Sequence, residues 1–261
     1  MLQTFLDAGY VVAATDYEGL GTPGLHPILV GESEGRGVLD AARAARSMKA
    51  AAAGSKALVF GLSQGGHSAL FAGELAASYA PELRVLGTAA VAPAGSVEQS
   101  MAFLGKFNGA NGLVVTIVEA FHAAYPQFDP AAVLTPEALA QAPLVDQKCD
   151  FSENYPGSPN LVLAHNPLDI PAMATILHTN AAGNRPMGAP LLVVQGTADQ
   201  QEPQFITDAF VNKACAAGDT VDYRLYPGAG HGDPELTASS NDIAAWFADR
   251  VSGAPATSTC K

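Results

Sequence analysis

The chain has 261 residues, 48% of them apolar and 15% charged, with a formal net charge of −12. That length holds one large α/β core, and that composition is globular rather than disordered. The acidic excess opposes nucleic-acid binding, which needs clustered Lys and Arg, and no stretch nears the roughly 18 consecutive apolar residues of a membrane span. Three cysteines, Cys149, Cys215 and Cys260, leave at least one unpaired within the chain. Their scattered positions lack metal-ligand spacing, so a zinc site is not expected.

Residues 1–9 read as the end of a helix stopped by Gly9, without the basic region and small-residue cleavage site of a signal peptide. Residues 10–15 (Y-V-V-A-A-T) form a continuous apolar run, expected to be a strand buried on both faces. A turn-rich loop over 16–24 follows, then an Ala- and Arg-rich helix over about 34–49. A strand at 57–60, a helix at 63–79 and a strand at 85–92 continue the alternation. Between 96 and 186 the rhythm breaks into short helices (101–104, 135–142, 171–178) among Pro- and Asn-rich turns. An interruption of that length is read as a helical cap rather than a structureless loop. Alternation resumes with strand 191–195, helix 203–216, strand 221–226 and helix 235–251. The polar tail 252–261 is expected to be loose unless Cys260 anchors it. The pattern predicts an α/β protein, with a mostly parallel central sheet flanked by helices. Residues 1–95 and 187–261 form its core, and the cap at 96–186 is inserted before the strand that carries the acid.

Chemistry concentrates in three loops. Gly61-Leu62-Ser63-Gln64-Gly65 fits G-x-S-x-G with a strand before and a helix after, which places the Ser63 hydroxyl on a tight turn. The Gln64 N–H, at the helix N-terminus, faces the position of a developing oxyanion. A serine nucleophile needs a base, and the base needs an orienting acid. Of six histidines, His231 sits in the glycine-lined Tyr226-Pro227-Gly228-Ala229-Gly230-His231-Gly232-Asp233, directly after the last strand. His67 follows Ser63 by one helical turn, and His26, His122, His165 and His178 fall in loop or cap regions, where packing or surface roles suit them better. The acid belongs after the preceding strand, where Leu191-Leu192-Val193-Val194-Gln195-Gly196-Thr197-Ala198-Asp199 supplies Asp199. Asp233 is the rival, but two residues from His231 on one loop is poor geometry for a buried orienter. The order Ser63, Asp199, His231 is the chain order of α/β-hydrolases.

With these residues in place, the sequence resembles the secretory lipase family of the α/β-hydrolases. The matching stretches are 10–24 (Y-V-V-A-A-T-D-Y-E-G-L-G-T-P-G), 31–43 (G-E-S-E-G-R-G-V-L-D-A-A-R), the serine turn at Ser63, 195–199 and 226–232. The resemblance implies hydrolysis of acylglycerols or simpler carboxylic esters, a cap over the site, secretion, transient contact with a lipid interface and no cofactor. It also implies a disulfide between Cys215 and Cys260, and a partner for Cys149 upstream of the nucleophile, where this chain has no cysteine. Family members carry further strands and an oxyanion loop ahead of the equivalent of residue 10. This chain is therefore expected to pair residues 10–15 directly with the nucleophile strand, Val12 opposite Leu58 or Val59. Tyr17 would then lie near Ser63 as the second oxyanion donor.

Other readings use the same residues. An acyltransferase or a peptidase could run on the same triad, since water and an alcohol compete for one acyl-enzyme. A catalytically weak, hydrolase-like binding protein is the reading from another class. The apolar residues of the cap (Phe103, Phe107, Val114, Val115, Ile117, Val118, Phe121, Leu161 and Ile170) suit acyl chains better than peptides, or form the cap's own core.

Overall fold

The computed structural model describes residues 2–148, 151–158, 160–233 and 239–261. In chain order the main elements are α1 (Leu2–Asp7), α2 (Gly31–Ser47), β1 (Lys56–Leu62), α3 (Gln64–Tyr79), β2 (Arg84–Val91), α4 (Val97–Leu104), α5 (Asn111–Ala124), α6 (Pro136–Gln141), α7 (Pro171–Thr179), β3 (Leu191–Gly196), α8 (Gln204–Ala216), β4 (Val221–Tyr226) and α9 (Ser239–Ser252). The strands form one sheet in the order β1-β2-β3-β4, and each neighbouring pair is parallel. The chain divides into two compact units: Met1–Thr15, Gly35–Gly95 and Ala182–Lys261 form the first, and Asp16–Glu34 and Ser96–Ala181 the second.

The first unit holds the sheet. Every residue of β3 is buried, because successive side chains leave a strand on opposite faces and both faces here are covered. Leu192 and Val194 pack with Phe5, Ile243, Trp246 and Phe247 of α1 and α9 on one face. Leu191 and Val193 pack with Leu70, Phe210 and Val211 of α3 and α8 on the other. Gly87 on β2 lies under Trp246, whose ring would stand 2.7 Å from an added Cβ; the missing side chain lets α9 close on the sheet. On α3, Glu74 is buried and accepts the Gly183 N–H at 2.5 Å.

The tail is anchored. Cys215 of α8 and Cys260 are disulfide-bonded, as the family resemblance implies. Thr259 donates its N–H to the Val221 carbonyl at 2.8 Å, and its hydroxyl accepts the Tyr223 N–H at 3.1 Å. The tail thus runs along the edge of β4 that faces away from β3. Cys149 lies outside the described residues, as does the start of the helix expected over 235–251.

The expectation for residues 10–15 is corrected. They belong to no strand, and no ladder joins Val12 to Leu58 or Val59; among the described residues β1 pairs only with β2. Nor is the run buried: Val11 is 50% and Val12 37% exposed, and only Tyr10 packs against the α1–α9 face. An apolar run reports β-propensity, but a strand exists only where its backbone finds a ladder.

The second unit has its own core. Val97, Met101, Val114, Val115, Ile117, Val118, Phe121, Leu134, Met173 and Leu177 are buried. Asn180 ties its two chain segments together, accepting the Gly31 N–H at 3.0 Å and donating to the Ile176 carbonyl at 2.9 Å. Glu34 closes the preceding turn by accepting the Leu29 N–H. The question left by the nine apolar residues is largely answered in favour of packing: five of them lie on α5, which is buried along most of its length. Phe107 and Leu161 are the exposed ones, at 48% and 42%.

Candidate active site

Ser63 sits between the last residue of β1 and the first of α3, at φ 58° and ψ −119°. A non-glycine residue in that region carries strain of about 1–3 kcal/mol and must be held by its surroundings. Two backbone bonds hold it: the Ser63 N–H donates to the Val91 carbonyl at 2.9 Å, and its own carbonyl accepts the His67 N–H at 3.0 Å, which starts α3. The flanking glycines make the turn possible. A Cβ on Gly61 would stand 1.8 Å from the Gly65 carbonyl oxygen, and one on Gly66 would meet Pro93 at 2.9 Å. Small residues are therefore a steric requirement of this turn, and they push the serine out from the sheet. Gln64 opens the 16-residue α3, so its N–H points out of the helix N-terminus beside Ser63.

The acid and histidine loops are bound to each other before they meet the serine. The Ala198 N–H donates to the Ala229 carbonyl at 3.0 Å, Thr197 N–H to the Tyr226 carbonyl at 3.1 Å, and Gly228 N–H to the Thr197 hydroxyl at 2.9 Å. Gly196 permits this approach, since a Cβ there would lie 2.3 Å from the Ala229 carbonyl oxygen. His231 Nδ1 then stands 2.8 Å from Asp199 Oδ2, and His231 Nε2 stands 2.8 Å from Ser63 Oγ. A carboxylate only accepts, so Nδ1 carries the proton and Nε2 is left to accept the serine O–H. The Asp199 side chain is wholly buried and that of His231 nearly so. Asp199 Oδ1 accepts the Gln201 and Glu202 N–H groups, both at 2.9 Å. A hydroxyl, an imidazole and a buried carboxylate are thus joined in one line, an arrangement chemically able to deprotonate a hydroxyl as it attacks a carbonyl carbon.

The remaining candidates fall elsewhere. Asp233 is exposed and accepts the Gly230 N–H at 2.7 Å, so it closes its own loop. His67 is buried against Phe71, His122 bonds the Phe128 carbonyl, and His178 pairs with Glu98. Tyr17 belongs to the second unit, where its ring stacks on His26 and its backbone takes φ 58°, a conformation rare for a tyrosine. Gln195 was not singled out from the sequence, although it bonds the acid directly. The available signal was a lone amide at the end of an otherwise apolar strand. Among the described residues no group of three or more His, Cys, Asp or Glu is placed to hold a metal ion. Among the same residues, no helix is long and apolar enough to cross a membrane.

The family model described as secretory lipase matches residues 1–259. Lipase A of Arthroderma benhamiae is 26% identical over 281 residues, covering all of this chain and 57% of that protein. Among solved structures, Candida antarctica lipase A superposes with a TM-score of 0.74 at 22% identity, over 90% of this chain and 57% of its own. The rice cell wall degrading esterase LipA from Xanthomonas oryzae gives 0.71 at 18% identity, over 90% of this chain and 69% of its own. These likenesses establish the α/β-hydrolase fold. The chain spans a little over half the length of the curated relatives it matches.

Proposed function

Because the chain belongs to the secretory lipase family, we propose that it hydrolyses carboxylic esters, acylglycerols or simpler ones, through an acyl-enzyme on Ser63. The observation that carries this reading is the unbroken line from Ser63 Oγ through His231 to Asp199, with both hydrogen bonds at 2.8 Å. In the first half-reaction Ser63 Oγ attacks the ester carbonyl while His231 Nε2 takes its proton. Asp199 holds the imidazole by Nδ1 and stabilises the imidazolium that forms. The negative charge on the carbonyl oxygen is met by the Gln64 N–H at the α3 N-terminus. His231 returns the proton to the leaving alcohol, and the same steps with water release the acid. No metal or cofactor is required by this chemistry.

The second unit, read as a cap, supplies apolar surface. Exposed Phe107 and Leu161 support transient contact with lipid, and the family and the disulfide suggest an extracellular protein. The deciding experiment uses a fluorophosphonate and a series of p-nitrophenyl esters of increasing acyl length, beside peptide amides. Labelling should map to Ser63, and Ser63→Ala should lose both labelling and turnover, the latter by on the order of 10⁴-fold. Turnover surviving in Ser63→Ala within tenfold of the parent would refute the reading.

A further inference from the structure

The strand that leads to Asp199 ends in an amide with no place in the hydrolytic steps. Gln195 is fully buried, at the end of a strand that is otherwise leucine, valine and glycine. A buried primary amide must satisfy its hydrogen-bonding groups internally. It does so by gathering the acid turn around itself. Its Nε2 lies 3.0 Å from the Gly196 carbonyl, 3.2 Å from Asp199 Oδ2 and 3.0 Å from the Glu202 carbonyl. Its Oε1 accepts the Thr207 hydroxyl at 2.7 Å, and Thr207 is itself buried on α8. The orientation of the amide follows from its neighbours. Three acceptors surround one end and a donor meets the other, so a flipped amide would set oxygen against three oxygens.

We propose that Gln195, held by Thr207, is the positioning residue of the catalytic acid. The proposal rests on the hydrolase reading above. It fits the stereochemistry of a carboxylate, which has four lone-pair directions. On Asp199 they are filled by Gln201 N–H, Glu202 N–H, His231 Nδ1–H and Gln195 Nε2–H. The two backbone donors hold Oδ1 within its own loop. Gln195 is the one donor among these that reaches Oδ2 from the core, beside the bond to His231. It therefore fixes the rotation of the carboxylate about its Cβ–Cγ bond, and with it the plane in which the imidazole stands. With its two N–H protons shared among the Gly196, Asp199 and Glu202 acceptors, one side chain also clamps the turn from β3 to α8. A misplacement of about 1 Å at the base is enough to cost on the order of 10²-fold in rate.

The test compares Gln195→Met, Thr207→Val and Thr207→Ser with the parent chain. Turnover on a p-nitrophenyl ester is normalised to active sites titrated with fluorophosphonate. The low-field proton resonance of His231 Nδ1 is followed by NMR, which needs no turnover. Gln195→Met should lower kcat by on the order of 10²-fold with KM little changed, and should broaden or shift the Nδ1 proton. Thr207→Val should act in the same direction, by about tenfold, and Thr207→Ser should restore it, because only the hydroxyl matters. If Gln195→Met does not fold, the two Thr207 variants decide. A merely structural role would lower the melting temperature and the titratable fraction but leave kcat per titrated site and the Nδ1 proton unchanged. That outcome overturns the proposal while Ser63→Ala remains inactive. Activity persisting in Ser63→Ala instead removes the triad reading, and the positioning role falls with it.

Discussion

His231 Nε2 stands 2.8 Å from Ser63 Oγ although 168 residues separate the two in the chain. The contact is assembled from two strand ends: Ser63 leaves β1, and His231 lies on the loop after β4, at opposite edges of the sheet. The reach across β2 and β3 is possible because Gly228, Gly230 and Gly232 leave the histidine loop uncluttered, and because that loop is fastened to the acid turn through Ala198 and Ala229.

The identity of the acid is the first point to test. Asp199→Asn should lower turnover by a factor approaching that of His231→Ala, because an amide can present a donor to Nδ1 and select the wrong tautomer. Asp233→Asn should change turnover little, since that carboxylate closes its own loop. Steady-state kinetics on one ester decides it, and a larger loss from Asp233→Asn would transfer the acid's role to that residue.

The serine turn makes a steric prediction. Gly61→Ala drives a methyl group to 1.8 Å from the Gly65 carbonyl oxygen, so the turn must open or the strand must shift. Overpacking of this kind costs about 1–3 kcal/mol or more, and the displaced Ser63 should lose at least about 10²-fold in turnover. Gly54→Ala is the matched control, with nothing within 4 Å of the added Cβ, and should be close to neutral in both melting temperature and rate. Equal behaviour of the two variants would show that the turn does not depend on its close approach.

How far the sequence could be read follows from what each element depends on. The strands β1 and β3 were legible because buried parallel strands read as short apolar runs, and β4 because its alternation follows a glycine-bearing turn, while the candidate residues Ser63, Asp199 and His231 lie in short loops directly after β1, β3 and β4. Residues 10–15 carry the same apolar signal without the pairing partner that makes a strand, which no local pattern reports. Helix α5 escaped notice because Val114, Val115, Ile117, Val118 and Phe121 are all buried. A helix covered on most sides shows little amphipathic period. Gln195 and Thr207 are twelve residues apart on a strand and the following helix, so their bond is a product of packing and leaves no short motif.

Glu74 predicts how stability depends on pH. Burial pushes its carboxyl up to about 7, against the lowering effects of the Gly183 N–H and the Arg185, Lys213 and His67 charges, from 4.5 in its absence. The folded chain therefore holds this proton more tightly than the unfolded chain. Its contribution to stability is fully present below about 4.5, falls as pH rises to about 7, and is lost above that. The loss amounts to at most about 3 kcal/mol. Glu74→Gln, neutral throughout, should gain on the parent between pH 5 and pH 8 in urea midpoint. A gap that is constant across that range would remove Glu74 as the source.

The disulfide closes a loop of 45 residues, from Cys215 to Cys260. On the chain-entropy model its loss should cost about 4 kcal/mol. Denaturant unfolding of the parent and of Cys215→Ala/Cys260→Ala under non-reducing conditions measures this. An unchanged midpoint would show that the native contacts of the tail suffice without the bond.

The tail has a second consequence, which concerns encounters between molecules. The β4 carbonyl of Val221 and N–H of Tyr223 point away from β3, and Thr259 occupies both. Left bare, such groups offer a template on which a strand from another molecule can add. The next residue facing outward on that strand is Leu225, already exposed. The last residues of the chain thus act as a cover strip on the sheet margin, and the sulfur bridge keeps the strip from peeling. In a reducing solution the same molecule would meet its neighbours with that margin open. Its colloidal behaviour should then worsen with concentration, even where each copy remains folded.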